Sequence, residues 1–341
     1  METISFYGKF WNELIKMKKK RILSGLQPSG KLHIGNYFGM MKRMIKYQDE
    51  NDLFCFIANY HALTTKPDKI QLRSNTFNAV CDFLALGIDP EKSTFWIQSD
   101  LPQVTELSWI LSSFTTVSMM DRSTSYKDKV AQGINANMGL YSYPILMASD
   151  ILLYDSEIVP VGKDQKQHLE IARDIASKFN RYFGEVLKLP KPEIEPSNQL
   201  IPGIDGQKMS KSYNNIIPIF DDEKNIKNQI MKIKTDTADI NSPKNKDSTL
   251  FKIYSLFLNS KEQIELASRY DNPGLRYGDI KKELFERIME YFYPYRLRRD
   301  NFQSNPSKVK EILANGASKA SATANRVMER VRKSIGINFY L

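Results

Sequence analysis

The sequence predicts an α/β chain, with a parallel sheet covered by helices followed by a helical C-terminal unit. Three observations predict it. From residue 21 onward, short apolar runs alternate with longer segments of helical periodicity. A proline-rich stretch over 189–203 interrupts that alternation. Beyond about residue 212 the strand-like runs stop and helical spacing alone remains.

Strands are predicted over 21–26, 53–58, 94–98 and 158–161. Helices are predicted between them over 34–48, 70–86, 104–114 and 144–154, the second with Leu72, Val80, Phe83 and Leu84 close to one face. Another begins near Asp164. The proline-rich stretch reads as a connection to another unit, in which helices are predicted over 226–233, 249–258, 260–269 and 277–299. The final segment, 307–341, holds Lys308, Lys310, Lys319, Arg326, Arg330, Arg332 and Lys333 against Glu311 and Glu329. Such a helix reads either as a contact for nucleic-acid phosphate or as a solvated face. The expected division is an extension, 1–20, an α/β domain, 21–206, and a helical domain, 207–341, whose last helix packs back on the first.

Bulk properties exclude several classes. At 341 residues the chain exceeds one typical domain, and its 41% apolar content supports a folded core. No uncharged apolar run reaches the roughly 18 residues a membrane span needs. Cys55 and Cys81 sit in apolar stretches, which fits reduced, buried thiols and a cytoplasmic protein. Without CxxC or Cys/His spacing, neither structural zinc nor an iron–sulfur cluster is expected. The net charge of +10, from 49 basic against 39 acidic residues, fits a polyanionic partner or a coding bias toward lysine. Phe6, Phe10, Leu14 and Met17 follow helical spacing, while Glu2 and Glu13 and the lack of an apolar core argue against a targeting peptide. Met17 directly precedes a basic run, so translation is expected to start there with residues 1–16 dispensable.

Four blocks carry chemistry. In the first, strand 21–26 runs into Gln27-Pro28-Ser29 and then into His33-Ile34-Gly35-Asn36 at a helix start, so a polar loop sits at the carboxyl end of a sheet strand beside free backbone N–H groups. Gly35 lets a flat base approach the backbone, and His33 and Asn36 offer donors to phosphate oxygens. The companion signature is Lys208-Met209-Ser210-Lys211-Ser212, where two lysines suit a departing polyphosphate and Gly203 and Gly206 would let the loop close. Either string alone could be a polar turn. His61, following strand 53–58, could equally be a core imidazole. Asp150 lies among Ile145, Leu146, Met147, Ile151 and Leu152, where a carboxylate is costly unless a donor meets it. Asp164 opens a helix after Gly162 and reads as a cap.

With both signatures in place, the sequence resembles the class I aminoacyl-tRNA synthetases. The string GLQPSGKLHIGNYFG is similar to their tryptophanyl branch, in which Asn at the position of Asn36 replaces the last His of the class signature. The resemblance runs from about Ser24 to the C-terminus. It implies a Rossmann-type doubly wound parallel sheet with an appended all-helical C-terminal domain that binds the tRNA anticodon. It further implies that His33, Asn36, Lys129, Lys208 and Lys211 act on the phosphates. ATP contacts are implied for Gln27, Pro28, Ser29, Gly35, Asn36, Gly162, Lys163, Asp164, Ile201, Lys208, Met209, Ser210, Lys211 and Ser212. For tryptophan the implied set is Asp150 on the indole N–H, Tyr143 toward the ammonium, Met147 in the apolar wall, and Gln165, His61 and Leu23 around it. Leu23 departs from the family, which often has an aromatic there. His168 and Arg173 are expected to support the helix and interface.

The implied reaction is ATP-dependent formation of tryptophanyl-adenylate and transfer to tRNA(Trp) by a cytoplasmic homodimer. Mg²⁺ would arrive with ATP, held by phosphates and water rather than by a protein cage. All three histidines fall in these blocks, so no His-ligated metal is expected elsewhere. The alternatives are a tyrosyl-tRNA synthetase, since a buried Asp also accepts a phenol O–H, a nucleotidylyltransferase, and a silent synthetase-like RNA-binding protein. The two intact signatures disfavour the silent protein, and the second signature followed by a long helical region disfavours the nucleotidylyltransferase.

Overall fold

The computed structural model describes residues 19–28, 30–123, 126, 131, 133, 136–162, 165–194 and 201–339. The readings made of residues 1–18, Ser29, Lys129, Lys163 and Asp164 lie outside the described residues.

Five strands form one parallel sheet: β1 (Arg21–Leu26), β2 (Asp52–Ile57), β3 (Ser93–Ile97), β4 (Ile158–Val161) and β5 (Lys191–Ile194), in the order β3-β2-β1-β4-β5. The chain builds outward from β1 on one side, then returns to its other side with β4. That reversal opens a crevice beyond the carboxyl ends of β1 and β4, the place where open α/β sheets bind ligands.

Alternation along the strands explains the helices on both faces. Ile22, Leu53, Cys55, Ile57 and Phe95 point into one core, Leu23, Phe54, Phe56 and Trp96 into the other. The first face receives α1 (Ile34–Asn36), a π-helical turn (Tyr37–Met41), α2 (Lys42–Glu50) and α4 (Lys69–Leu86), the second α5 (Gln103–Ser112), α7 (Met138–Leu152) and α8 (Lys166–Phe183). The short helices α3 (Asn59–Ala62) and α6 (Val117–Asp121) lie between these elements in sequence. Asp68 caps α4 by accepting from Ile70 and Gln71 N–H, and Gly87, at φ +120°, ends it.

The remaining helices are α9 (Glu223–Met231), α10 (Thr249–Ser255), α11 (Ser260–Asp271), α12 (Tyr277–Ser304) and α13 (Pro306–Ser334). Ile226, Ile253, Leu266, Ile280 and Ile288 continue the first core without a break. A part-buried ion pair, Arg299 Nε to Asp82 Oδ1 at 2.5 Å, ties α12 to α4. Among the described residues, no helix is long and apolar enough to cross a membrane.

Helix α13 covers the free edge of β3, which would otherwise present unpaired backbone groups. Val309 and Leu313 enter the first core, and Ala320, Ala324, Val327, Met328 and Val331 enter the second. Gly316 lies between them. A Cβ there would stand 1.8 Å from the Phe95 carbonyl oxygen, so only glycine lets the helix cross the edge this closely. Gly316→Ala is expected to cost about 3 kcal/mol or more by overpacking, read as a lowered urea midpoint.

Several expectations are corrected. The stretch read as a plain connection contains β5, whose Pro192 an edge strand tolerates because one side of it makes no ladder bonds. Helix α7 starts six residues before Pro144, after Asn137, whose side chain accepts from Leu140 N–H. The helix predicted over 34–48 carries the π-helical turn. In the basic last helix Arg330 pairs with Asp155 at 2.6 Å and Arg332 pairs with Glu106, contacts that neither reading of that helix included.

Candidate active site

The two signature strings are packed against each other. His33 caps α1: its Nδ1 accepts from Asn36 N–H at 3.3 Å, and the Asn36 Oδ1 accepts from His33 N–H at 3.3 Å. With Nδ1 committed as acceptor, the ring proton sits on Nε2, which becomes the outward donor. Burial, reinforced by the Lys211 charge, lowers the His33 pKa to about 4, so this donor is neutral at neutral pH. The Asn36 oxygen serves the helix start, which leaves its NH₂ end for a ligand.

The lysine-bearing loop is organised by Asn215, which is 2% exposed. Its Oδ1 accepts from Ser210 N–H at 2.7 Å, and its Nδ2 donates to Asp205 Oδ1 at 2.8 Å and to Lys208 O at 3.0 Å. Gly203 makes room for it, since a Cβ there would lie 2.3 Å from the Asn215 amide nitrogen. Gly206 sits at φ +88°, in the region that favours glycine. Met209 N–H donates to Ile201 O at 2.9 Å, and Ser210 Oγ accepts from Ser212 N–H at 3.3 Å.

Backbone bonds then join the strings. Ile34 N–H donates to Ile217 O at 3.1 Å and Ile219 N–H to Leu32 O at 3.0 Å. The space beside Gly35 is taken by the His33 ring and by Met209, 3.2 Å from where a Cβ would be. Gly35 therefore has no room for a side chain on that side. Lys211 Nζ donates to Gly30 O at 3.1 Å, and burial lowers its pKa to about 8, with Asp82 opposing the shift. Lys208, by contrast, is exposed. On α12, Arg296 donates to Ile219 O at 2.9 Å and to Asp221 O at 2.7 Å, bracing the segment that carries these bonds.

Beside this cluster, a cavity of about 460 Å³ opens in the β1/β4 crevice. It gathers Leu23, His61, Tyr143, Met147, Asp150 and Gln165, together with Gln27 and Gly162. His33, Gly35, Asn36, Ile201 and the residues from Lys208 to Ser212 do not line it. Pro28 is buried in the loop between the two regions. Met40, on the π-helical turn that follows the first signature, reaches the cavity wall, a placement typical of π turns at functional sites.

Asp150 is 3% exposed, yet both of its side-chain oxygens are hydrogen-bonded. Gln98 Nε2 donates to Oδ1 at 2.9 Å and to Oδ2 at 2.8 Å, and His61 Nε2 contacts Oδ2 at 2.9 Å. Tyr143 OH contacts His168 Nε2 at 2.5 Å. His168 thus lines the cavity and holds Tyr143, where the sequence suggested support for the helix and interface; Arg173 donates to Pro190 O. Gln98, Met40, His168 and Asn215 are the functional positions that sequence reasoning passed over or underrated. The spacing of Gln165, the N-cap of α8, and His168, three residues later in its first turn, is the signal that could have found His168. The site can bind a flat, largely apolar side chain that ends in a donor, next to a neutral imidazole and a partly buried cation suited to phosphate.

The family described as tRNA synthetases class I (W and Y) matches residues 16–293. A tryptophan–tRNA ligase of Fusobacterium nucleatum is 50% identical over 319 residues, 93% of this chain and 98% of the relative. One from Campylobacter jejuni is 50% identical over 318 residues, 93% of this chain and 100% of the relative. Among solved structures, the tryptophanyl-tRNA synthetase of Campylobacter jejuni complexed with ADP and tryptophan superposes with a TM-score of 0.90 at 50% identity, covering 93% of this chain and 99% of that one. The Mycoplasma pneumoniae synthetase gives 0.79 at 30% identity, covering 93% and 98%.

Proposed function

This chain belongs to the class I tRNA synthetases of the W and Y family, and we propose that it activates L-tryptophan with ATP and transfers it to tRNA(Trp). The observation that carries the reading is Asp150, buried in an apolar cavity yet held as an acceptor, beside the joined signature strings. An indole N–H would meet its free acceptor capacity, with Met147 and Ile151 against the ring and Tyr143 toward the ammonium. Gln165 and His61 border the same ligand, and Leu23 closes the floor.

In the first step the tryptophan carboxylate attacks the α-phosphorus of ATP, and the bond to pyrophosphate breaks. His33 Nε2–H and the Asn36 NH₂ donate to phosphate oxygens, while Lys211 and the exposed Lys208 neutralise the leaving group. Gln27, Pro28, Gly162 and the Ile201–Ser212 loop frame the nucleotide, with Ser29, Lys129, Lys163 and Asp164 assigned to it by family resemblance. Mg²⁺ would arrive with ATP, held by the phosphates and water. In the second step the terminal ribose hydroxyl of tRNA takes the aminoacyl group and AMP leaves. The proposed division is an activation domain over 21–206, followed over 207–341 by the lysine-bearing loop, which also serves activation, and the helices that bind the tRNA anticodon, in a cytoplasmic homodimer.

The Lys211 pKa gives a pH dependence. The ammonium is present below about 8 and is lost as pH rises through that value. The kcat/KM for ATP, which reports the free enzyme, is expected to fall through that range while tryptophan affinity changes little. A flat profile to pH 9.5 or so would remove Lys211 from the phosphate step. Charging of a tRNA(Trp) transcript with labelled tryptophan tests the whole reading, and no charging with intact ATP binding would refute it.

A further inference from the structure

Gln98 lies at the end of β3 and is 0% exposed. It does not line the cavity. Both ends of its amide are nevertheless engaged. Oε1 accepts from the Tyr60 backbone N–H at 2.9 Å, while Nε2 donates to both oxygens of Asp150. The Tyr60 N–H can only donate, so it decides which end of the amide faces the carboxylate. The neighbouring turns are clasped as well: Asn59 Nδ2 donates to Ser99 Oγ at 2.8 Å, and Ser99 N–H donates to Asn59 Oδ1 at 3.1 Å. The loops after β2 and β3 are thereby locked together, and from them Gln98 and His61 both meet Asp150 on α7.

We propose that Gln98 is a specificity-determining positioning residue, which fixes Asp150 as an acceptor facing the cavity and so makes the site demand a ligand N–H. The inference rests on the tryptophan reading above. A carboxylate has about four lone-pair sites, and the contacts from Gln98 and His61 take up three of them, leaving acceptor capacity for a ligand in the cavity that Asp150 lines. Without the Nε2 donor, Asp150 can rotate or draw in water, and the demand for an N–H relaxes.

The test compares Gln98→Met, which keeps the volume, with Gln98→Glu, which keeps an acceptor for Tyr60 N–H. Amino-acid activation is measured with L-tryptophan and with its analogue bearing sulfur in place of the indole N–H. In Gln98→Met the KM for tryptophan should rise about 10- to 100-fold with the KM for ATP unchanged, and the preference for tryptophan over the sulfur analogue should fall toward unity. In Gln98→Glu the preference should return at acidic pH, where the introduced carboxylic acid donates to Asp150 as the amide does, and vanish at alkaline pH. His61 and Tyr154 face the same carboxylate in every variant, so the difference from the unaltered protein's profile isolates position 98. A residue that merely fills space would alter thermal stability and leave the preference intact. An unchanged preference in both folded variants, or in Gln98→Glu at every pH if Gln98→Met does not fold, overturns the proposal. If the unaltered protein itself shows no tryptophan-dependent activity, the functional reading beneath it fails instead.

Discussion

Replacing Lys208 and Lys211 together with alanine is expected to slow adenylate formation by about 100- to 1,000-fold while tryptophan still binds. The cost should fall mainly on Lys211. It is partly buried, bonded to Gly30 O and close enough to His33 to depress the imidazole, so its charge acts where water screens poorly. Lys208 is exposed and contributes through a screened field. Tryptophan binding should survive because neither lysine lines the 460 Å³ cavity. Single-turnover kinetics with ATP, paired with tryptophan calorimetry, separates the two effects. An unchanged rate would show that the loop does not serve the leaving pyrophosphate.

Asp150→Ala is expected to cost about 2–5 kcal/mol in recognition, roughly 30- to 5,000-fold in kcat/KM for tryptophan. Two losses combine. The ligand N–H loses its acceptor, and Gln98 Nε2, fully buried, loses both carboxylate oxygens it donates to. Folding stability should therefore fall too, by about 1–3 kcal/mol, which a urea midpoint would register. The KM for ATP should stay within about twofold, because His33 and Lys211 do not depend on Asp150. Equal losses for ATP and tryptophan would instead indicate general damage to the fold.

Much of the fold was legible because the strands, covered on both faces, read as short apolar runs between helical segments. The residues that send Ile22 and Leu23 to opposite cores also fix where β1 begins and ends, and β2 and β3 were placed within one residue. Strand β5 was hidden because Lys191, Pro192 and Glu193 carry no apolar run; its edge position lets backbone bonds to β4 suffice. The π-helical turn has no sequence period to announce it, and Pro144 imitated a first-turn proline inside a helix capped by Asn137. Asp150 could be read because a carboxylate among Ile145, Met147 and Ile151 is anomalous on its face. Gln98 could not. A glutamine at a strand end is unremarked locally, and its partner lies 52 positions away. Asn215 was concealed in the same way, within a string that looked like an ordinary turn, although it organises the lysine loop through three hydrogen bonds.

The most direct measurement is amino-acid-dependent exchange of pyrophosphate into ATP, run side by side with L-tryptophan and L-tyrosine. The account predicts exchange with tryptophan and a rate with tyrosine lower by about 100-fold or more, because a smaller ring with its donor at another position would leave the buried Asp150 acceptor poorly paired. Exchange driven equally well by tyrosine, or by neither amino acid in a protein that binds ATP, would contradict it.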